Sequence, residues 1–386
     1  MKLNVLKSKI EEGILKVSKA VSHRSPLPIL THILFKTDGN NSIKLLATDL
    51  EVGIETSVET QVLKKGSFCA PAKIITEIIT QLPDEDIVFE LKDKVLEIRA
   101  HNSKYNINVL DEEDFPVFPK SKNIPTLNLN QGIFKDIIKN VIFACAQTEE
   151  IRTTLTGVLF NLKGQVLTVV STDGRRLAKA EYPLKEVFSK EEKFIIPSKS
   201  LQEIQRLLKE EGDLFVFINE GQIFFKFDET TIYSRTIEGN FPNYNQVIPS
   251  KHNIEAEVKR EDLLHSIKRA LILACEKDSP KLVKIGMGKE KIIITSATAD
   301  LGNAYEEVDI INKKGGDIKI SFNGKYIVDF LSNFGDEKIA LCFTHTEGPA
   351  VMKLKEREDY IYIIMPVKVR EEEEKKEETE EAEAAV

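Results

Sequence analysis

Two kinds of apolar spacing alternate along the chain. At residues 5–20 (VLKSKIEEGILKVSKA), 71–81, 130–146, 197–211, 259–275 and 322–334, apolar side chains recur three and four positions apart. That spacing lines them up on one stripe of a helix. Between these segments lie stretches such as DIVFELKDKVLEIRA and DLFVFINEGQIFFKF, in which apolar residues alternate or cluster and Gly, Asn or Asp mark the turns. They read as antiparallel hairpins. The six helix starts are 66, 59, 67, 62 and 63 residues apart, and Thr48-Asp49, Thr172-Asp173 and Ser296-Ala297 follow one another at intervals of 124. A unit about a third of the chain long is therefore repeated three times, and each unit is itself doubled into a helix plus about four strands. Proline-bearing segments, DEEDFPVFPKSKNIP and EGNFPNYNQVIPSKHN, close the first and second thirds, where a fixed φ and a missing donor favour a linker over further pairing. The pattern predicts an α+β fold of three tandem similar domains at 1–120, 121–250 and 251–370.

Charge changes the picture more than composition does. The 386 residues are 41% hydrophobic and 30% charged, ordinary values for a globular protein, and no apolar run of about 18 residues could span a membrane. MKLNVLKSKIEEG at the N-terminus is charged throughout and lacks the apolar block of a signal peptide, so a cytoplasmic protein with no membrane partner is expected. The net charge of −8 is uneven: the tail EEEEKKEETEEAEAAV at 371–386 carries −7, while the six helical segments together carry +5. If the helices share one surface, it is basic within an acidic chain, which suits phosphate contacts that ignore sequence. Lys199 and Arg206, placed on one of these helices, are expected DNA contacts on that ground alone. The tail itself reads as an acidic, disordered extension.

Catalytic signatures are missing. No GxxxxGK[ST], HExxH or GxSxG occurs, the four cysteines (Cys69, Cys145, Cys275, Cys342) show no CxxC spacing, and the six histidines are dispersed. No enzyme, cofactor or metal site is expected. The one stretch that looks like an active-site loop is Thr172-Asp173-Gly174-Arg175-Arg176, where an acid, a glycine and two guanidinium groups follow an apolar run. Its plainer reading is a strand-end turn in which Asp173 accepts backbone N–H groups and Gly174 takes a positive φ. Thr48-Asp49 repeats the turn in the first third without the Gly-Arg-Arg.

LPIL at 27–30, TDGRRLA at 172–178, GNFPNYNQVIP at 239–249, FNGKYIVDFL at 322–331 and IIMPVK at 363–368, in that order, resemble the β subunit of bacterial DNA polymerase III, the sliding clamp. The resemblance runs from residue 1 to about 370. It implies a DNA clamp fold closed into a ring by a head-to-tail homodimer, a processivity factor for DNA replication that encircles double-stranded DNA regardless of sequence. It implies partners that dock short peptides: the DNA polymerase III alpha subunit, the clamp loader, other DNA polymerases and repair proteins. For the peptide pocket it implies Leu155, Thr172, Gly174, Arg175, Arg176, Leu177, Pro242, Val247, Asn323, Tyr326, Pro349, Ile363, Ile364, Met365, Pro366 and Val367. For DNA it implies Arg24, Lys73, Arg152, Thr153 and Thr154, and for the dimer interface Tyr105 and Ile107 against Ile272 and Leu273. Glu149, Gln246 and Lys368 depart from the family's usual residues.

Overall fold

Each helix grows directly out of a strand, so the chain needs no separate capping segment. The computed structural model describes residues 1–22, 25–148, 152–274, 281–298, 301–335, 337–355 and 357–368; Arg24, Glu149 and the acidic tail 371–386 lie outside them. Among the described residues the order is β1 (Lys2–Leu6), α1 (Lys7–Val17), β2 (His32–Asp38), β3 (Ser42–Thr48), β4 (Val52–Glu59) and β5 (Gln61–Lys64). Next come β6 (Ser67–Pro71), α2 (Ala72–Gln81), β7 (Asp86–Lys92), β8 (Val95–Ala100) and β9 (Ser103–Asn108). The middle of the chain supplies β10 (Leu127–Asn130), α3 (Gln131–Ile142), β11 (Gly157–Thr172), β12 (Arg176–Pro197), α4 (Ser198–Leu207), β13 (Asp213–Asn219), β14 (Gln222–Phe227) and β15 (Thr230–Arg235). The last third contains β16 (Ile254–Lys259), α5 (Arg260–Ala270), β17 (Leu282–Met287), β18 (Lys291–Thr298), β19 (Gly302–Lys314), β20 (Ile318–Asn323), α6 (Gly324–Asn333), β21 (Lys338–Phe343), β22 (Ala350–Leu354) and β23 (Tyr360–Ile364).

All six expected helices form, but shorter than the apolar stripes that announced them. Val5 and Leu6, counted into the first helix, end β1 instead, because Val5 is buried as one of the alternating inward side chains of that strand. α5 stops at Ala270, ahead of the apolar Leu271-Ile272-Leu273. The strand-to-helix junction is stereotyped. The first helical N–H, which has no partner inside its own helix, donates to a carbonyl of a neighbouring loop: Lys7 to Glu85 at 2.9 Å, Gln131 to Gly212 at 2.8 Å, Arg260 to Glu337 at 2.9 Å and Gly324 to Lys281 at 2.9 Å. The same arrangement in both halves of the chain is the physical content of the repeat.

The chain divides into two compact units that do not follow the thirds. One takes Met1–Ile138 and Ile196–Glu238; the other takes Lys139–Ile195 and the described residues from Gly239 onward. The first unit holds a five-stranded sheet ordered β5-β1-β7-β8-β9 and an eight-stranded sheet ordered β10-β13-β14-β15-β4-β3-β2-β6. The second holds a ten-stranded sheet ordered β11-β12-β23-β22-β21-β16-β19-β18-β17-β20. Sheets cross the linkers because β4 pairs with β15 and β12 pairs with β23, both antiparallel.

In the first unit that joint is closed by an aromatic ring. Tyr233 on β15 lies opposite Gly53 on β4, its hydroxyl 2.7 Å from Thr48 Oγ1, with Phe118 edge-on at 4.9 Å between ring centroids. A Cβ on Gly53 would sit 2.1 Å from Tyr233 Cε1. Glycine here lets the ring lie across the strand. Gly53→Ala is therefore expected to lower unfolding free energy by about 1–3 kcal/mol through overpacking, read from urea denaturation; a change below about 0.5 kcal/mol would show that the ring is free to move aside.

Candidate functional site

The Thr172–Arg176 stretch joins β11 to β12 and lies wholly in the second unit. It is a turn held by its own side chains. Thr172 Oγ1 donates to Arg176 O at 2.5 Å and accepts from Gly174 N at 3.0 Å, while Asp173 Oδ1 accepts from the N–H groups of Arg175 and Arg176, each at 2.9 Å. Gly174 stands at φ +86° with open space where a Cβ would be. The first third repeats this bond for bond: Thr48 Oγ1 donates to Val52 O and accepts from Leu50 N, and Asp49 Oδ1 accepts from Glu51 and Val52. Leu50 holds the left-handed position there at φ 79°. Turn chemistry belongs to the Thr-Asp pair in both thirds, so what is special to 172–176 is the arginines.

The two arginines differ completely. Arg175 is exposed, whereas Arg176 is 6% exposed. Its Nε donates to Asp173 Oδ2 at 3.0 Å and its Nη1 to Asp329 Oδ2 on α6 at 2.6 Å, while the guanidinium carbon lies 4.4 Å from the Tyr326 ring centroid and 6.0 Å from that of Phe143. Burial disfavours the charge, but Tyr362 and the carboxylates of Asp329 and Asp173 outweigh it, and the guanidinium is held above its ordinary range. Arg176 is thus a tie between turn and helix, with little left for a ligand. Tyr362, pushed up by burial, donates its hydroxyl to Tyr326 O at 3.0 Å and stacks on Phe330 with ring centroids 5.0 Å apart. Asp329 and Phe143 were missed by reading the sequence; Asp329 stands three positions beyond Tyr326 on α6, a spacing that puts both on one helix face.

Register brings the other pocket residues together. β12 sets Arg176 and Leu177 opposite Ile364 and Ile363 of β23, and β22 sets Ala350, next to Pro349, opposite Ile364. Beyond β23 the chain is stitched down by Met365 N to Arg175 O and Val367 N to Ser321 O, both 2.8 Å. Of the residues expected at the pocket, Leu155, Thr172, Leu177, Ile363 and Ile364 are buried; Gly174, Arg175, Val247 and Met365 are exposed, and Pro242, Asn323, Tyr326, Pro349, Pro366 and Val367 are half-buried. Asn323 also caps α6, accepting from Lys325 N at 3.1 Å. Among the departures, Gln246 is exposed and Lys368 pairs with Glu347 at 3.0 Å.

The expected DNA contacts are at the surface where described. Lys73 on α2, Lys199 and Arg206 on α4, and Arg152 and Thr153 ahead of β11 are exposed, and Thr154 is half-buried. Lys199 pairs with Asp49 at 3.2 Å and Arg206 with Glu203 at 2.6 Å. Of the expected interface residues, Tyr105 and Ile272 are exposed and Leu273 is half-buried, but Ile107 is 6% exposed, covered by its own unit. Alternation puts the side chains of Tyr105 and Ile107 on one face of β9, so their different exposure is set by position along the strand, Tyr105 standing opposite Ile98 and Ile107 opposite Leu96.

The N-terminal, central and C-terminal domains of the DNA polymerase III beta subunit match residues 1–119, 128–243 and 245–368. A beta sliding clamp of Halalkalibacterium halodurans is 32% identical over 92% of this chain and 97% of its own. A crystal structure of a putative DNA polymerase III beta subunit from Eubacterium rectale aligns with TM-score 0.90 at 31% identity, over 96% of this chain and 100% of that one. A sliding clamp from Pseudomonas aeruginosa bound to griselimycin aligns with TM-score 0.89 at 25% identity and the same coverage. The chain belongs to the DNA polymerase III beta subunit family, the sliding clamps. Its work is that of a non-catalytic processivity subunit of DNA replication.

Removing one partner of a buried ion pair leaves the others uncompensated, at about 3–5 kcal/mol. Asp173 and Asp329 retain partial solvent contact, so Arg176→Ala is expected at the lower end of that range in chemical denaturation, and Arg175→Ala below about 0.5 kcal/mol. Equal effects would contradict the division of roles.

Proposed function

We propose that two copies of this chain close head to tail around duplex DNA, with the three domains 1–120, 121–250 and 251–370 of each forming half of the ring, in the cytoplasm. The slot between Met365 and Val247 then receives peptide segments of the DNA polymerase III alpha subunit, the clamp loader, and other polymerases and repair proteins. One observation carries the peptide reading: Met365, 39% exposed, is tied by its N–H to the carbonyl of Arg175, next to Arg176 and its ion pairs, and Val247 is exposed at 46%. An adaptable thioether and a branched aliphatic group on a fixed frame suit an apolar peptide side chain.

Ring closure is supported by two unpaired edges. β9 ends its sheet and presents Tyr105. The first half of β19 pairs with β18 on one side, and on the other side β19 meets β16 only from Ile310 onward. Exposed Tyr305 lies on that half, and Ile272 follows the end of α5, which is fastened to β19 by the ion pair of Arg269 with Glu306 at 2.5 Å. Two edges of this kind in one chain make a heterologous contact that closes when the rotation permits.

DNA contact follows from weak competition. Lys199 and Arg206 are exposed cations on half-buried carboxylates, and pairs with so exposed a cation are worth about 0–1 kcal/mol, so phosphate can compete with Asp49 or Glu203 for them. Loaded protein is expected to stay on closed circular DNA and to leave after linearisation; equal retention on both ends the ring reading. Met365→Ala with Val247→Ala is expected to weaken an alpha-subunit peptide at least about tenfold, or 1.4 kcal/mol, with unchanged elution as a dimer. Full peptide affinity in that variant would remove the slot.

A further inference from the structure

A second cluster, unused by the clamp reading, sits on the last third. β16 and β21 are antiparallel neighbours, and their register sets Glu255 directly opposite Cys342. Facing pairs of this kind bring side chains into contact on one side of the sheet. His252 comes three residues before Glu255, where the chain approaches β16, and its Nε2 lies 3.4 Å from Glu255 Oε2. That approach is tied to β21 and the residue beyond it: Asn253 N donates to Phe343 O at 2.9 Å and Asn253 Nδ2 to Thr344 O at 3.1 Å. One imidazole nitrogen, one carboxylate oxygen and one sulfur thereby lie within 4.8 Å of one another. Linear spacing concealed the group, because 87 positions separate Glu255 from Cys342 and only the β16–β21 register joins them.

We propose that His252, Glu255 and Cys342 form a binding site for a single zinc ion, with the fourth position left to water. The donor set is selective. A thiolate and an imidazole favour zinc and its neighbours over magnesium or calcium, which take oxygen ligands. Bond lengths of about 2.0–2.3 Å put tetrahedral donors about 3.5 Å apart, so side-chain rotations of about 1 Å close the present triangle. Access fits as well: Cys342 is 1% exposed at the base, while the side chains of His252 and Glu255 are 29% and 41% exposed at the mouth. Binding displaces the Cys342 proton to solvent and leaves the metal's charge state unchanged, so no oxidant or reductant is needed. A bound ion would clip the segment that follows Val247 onto the strand that precedes Pro349. The site stands on its own geometry and does not depend on what the slot receives.

Cobalt(II) reports such a site directly. Titrating the full chain with cobalt under reducing conditions is expected to give a thiolate-to-cobalt charge-transfer band that saturates at one equivalent per chain and is displaced by zinc. Cys342→Ser is expected to abolish the band. His252→Ala and Glu255→Gln, at half-buried positions outside the core, are expected to lower zinc affinity at least about tenfold by calorimetry. A wild-type chain without the band overturns the proposal, as does a band that survives Cys342→Ser and is lost in Cys275→Ser. Zinc affinity unchanged in both His252→Ala and Glu255→Gln overturns it equally.

Discussion

Arg176 enters β12 as a charge with 6% of its surface exposed, and a charge so placed is tolerable only because Asp173 and Asp329 flank it and two rings cover its faces. Asp173 cannot serve the guanidinium unless the Thr172 turn presents it, and Asp329 cannot unless α6 lies against β12. A local turn and a long-range packing contact are thus made conditions of each other. The strand that follows, with Leu177 and its neighbours opposite Ile363 and Ile364, inherits its position from that condition. So does Met365, whose N–H is held by the carbonyl of Arg175. The apolar strand pair keeps its place because the polar tie beside it does.

The same economy operates at the β4–β15 joint, with different chemistry. There the turn threonine, Thr48, donates to Val52 O and accepts from the Tyr233 hydroxyl, and the ring lies over Gly53 where a side chain would block it. Neither joint lies within a repeat; each fastens one third of the chain to the next. This is why the compact units cut across the thirds: a repeat that cannot finish its own sheet completes it with strands from its neighbour.

Much of this was legible in the sequence, and what was not has a common cause. The six helices, the hairpins and the Thr-Asp turn are local, written in periods of 3.6 and 2 and in turn residues, and all appear. The ends of the helices were less legible, since Val5 satisfies a helical stripe and a strand alternation equally well. Resemblance named the residues expected at the pocket, but not how they divide between surface and interior: nothing in Gly-Arg-Arg says that the first arginine is exposed and the second buried. That depends on Asp329, 153 positions away from Arg176. The burial of Ile107 was not legible for a related reason, because exposure is decided by what the rest of the chain covers.

Charge distribution connects the frame to the work. A clamp has to touch DNA without stopping on it, which forbids strong base contacts and equally forbids a row of bare cations that would grip phosphate. The helices resolve this with paired charges. Lys16 on α1 is held by Glu12, Lys199 and Arg206 on α4 by Asp49 and Glu203, and Lys209 just beyond α4 by Asp228. On the DNA face proposed above, such a cation would exchange a carboxylate for a phosphate and back again, one weak ion pair for another of similar strength. Low affinity per contact would then follow from the pairing of the cations rather than from a shortage of lysines, and retention on DNA would fall to topology, which no single contact has to supply.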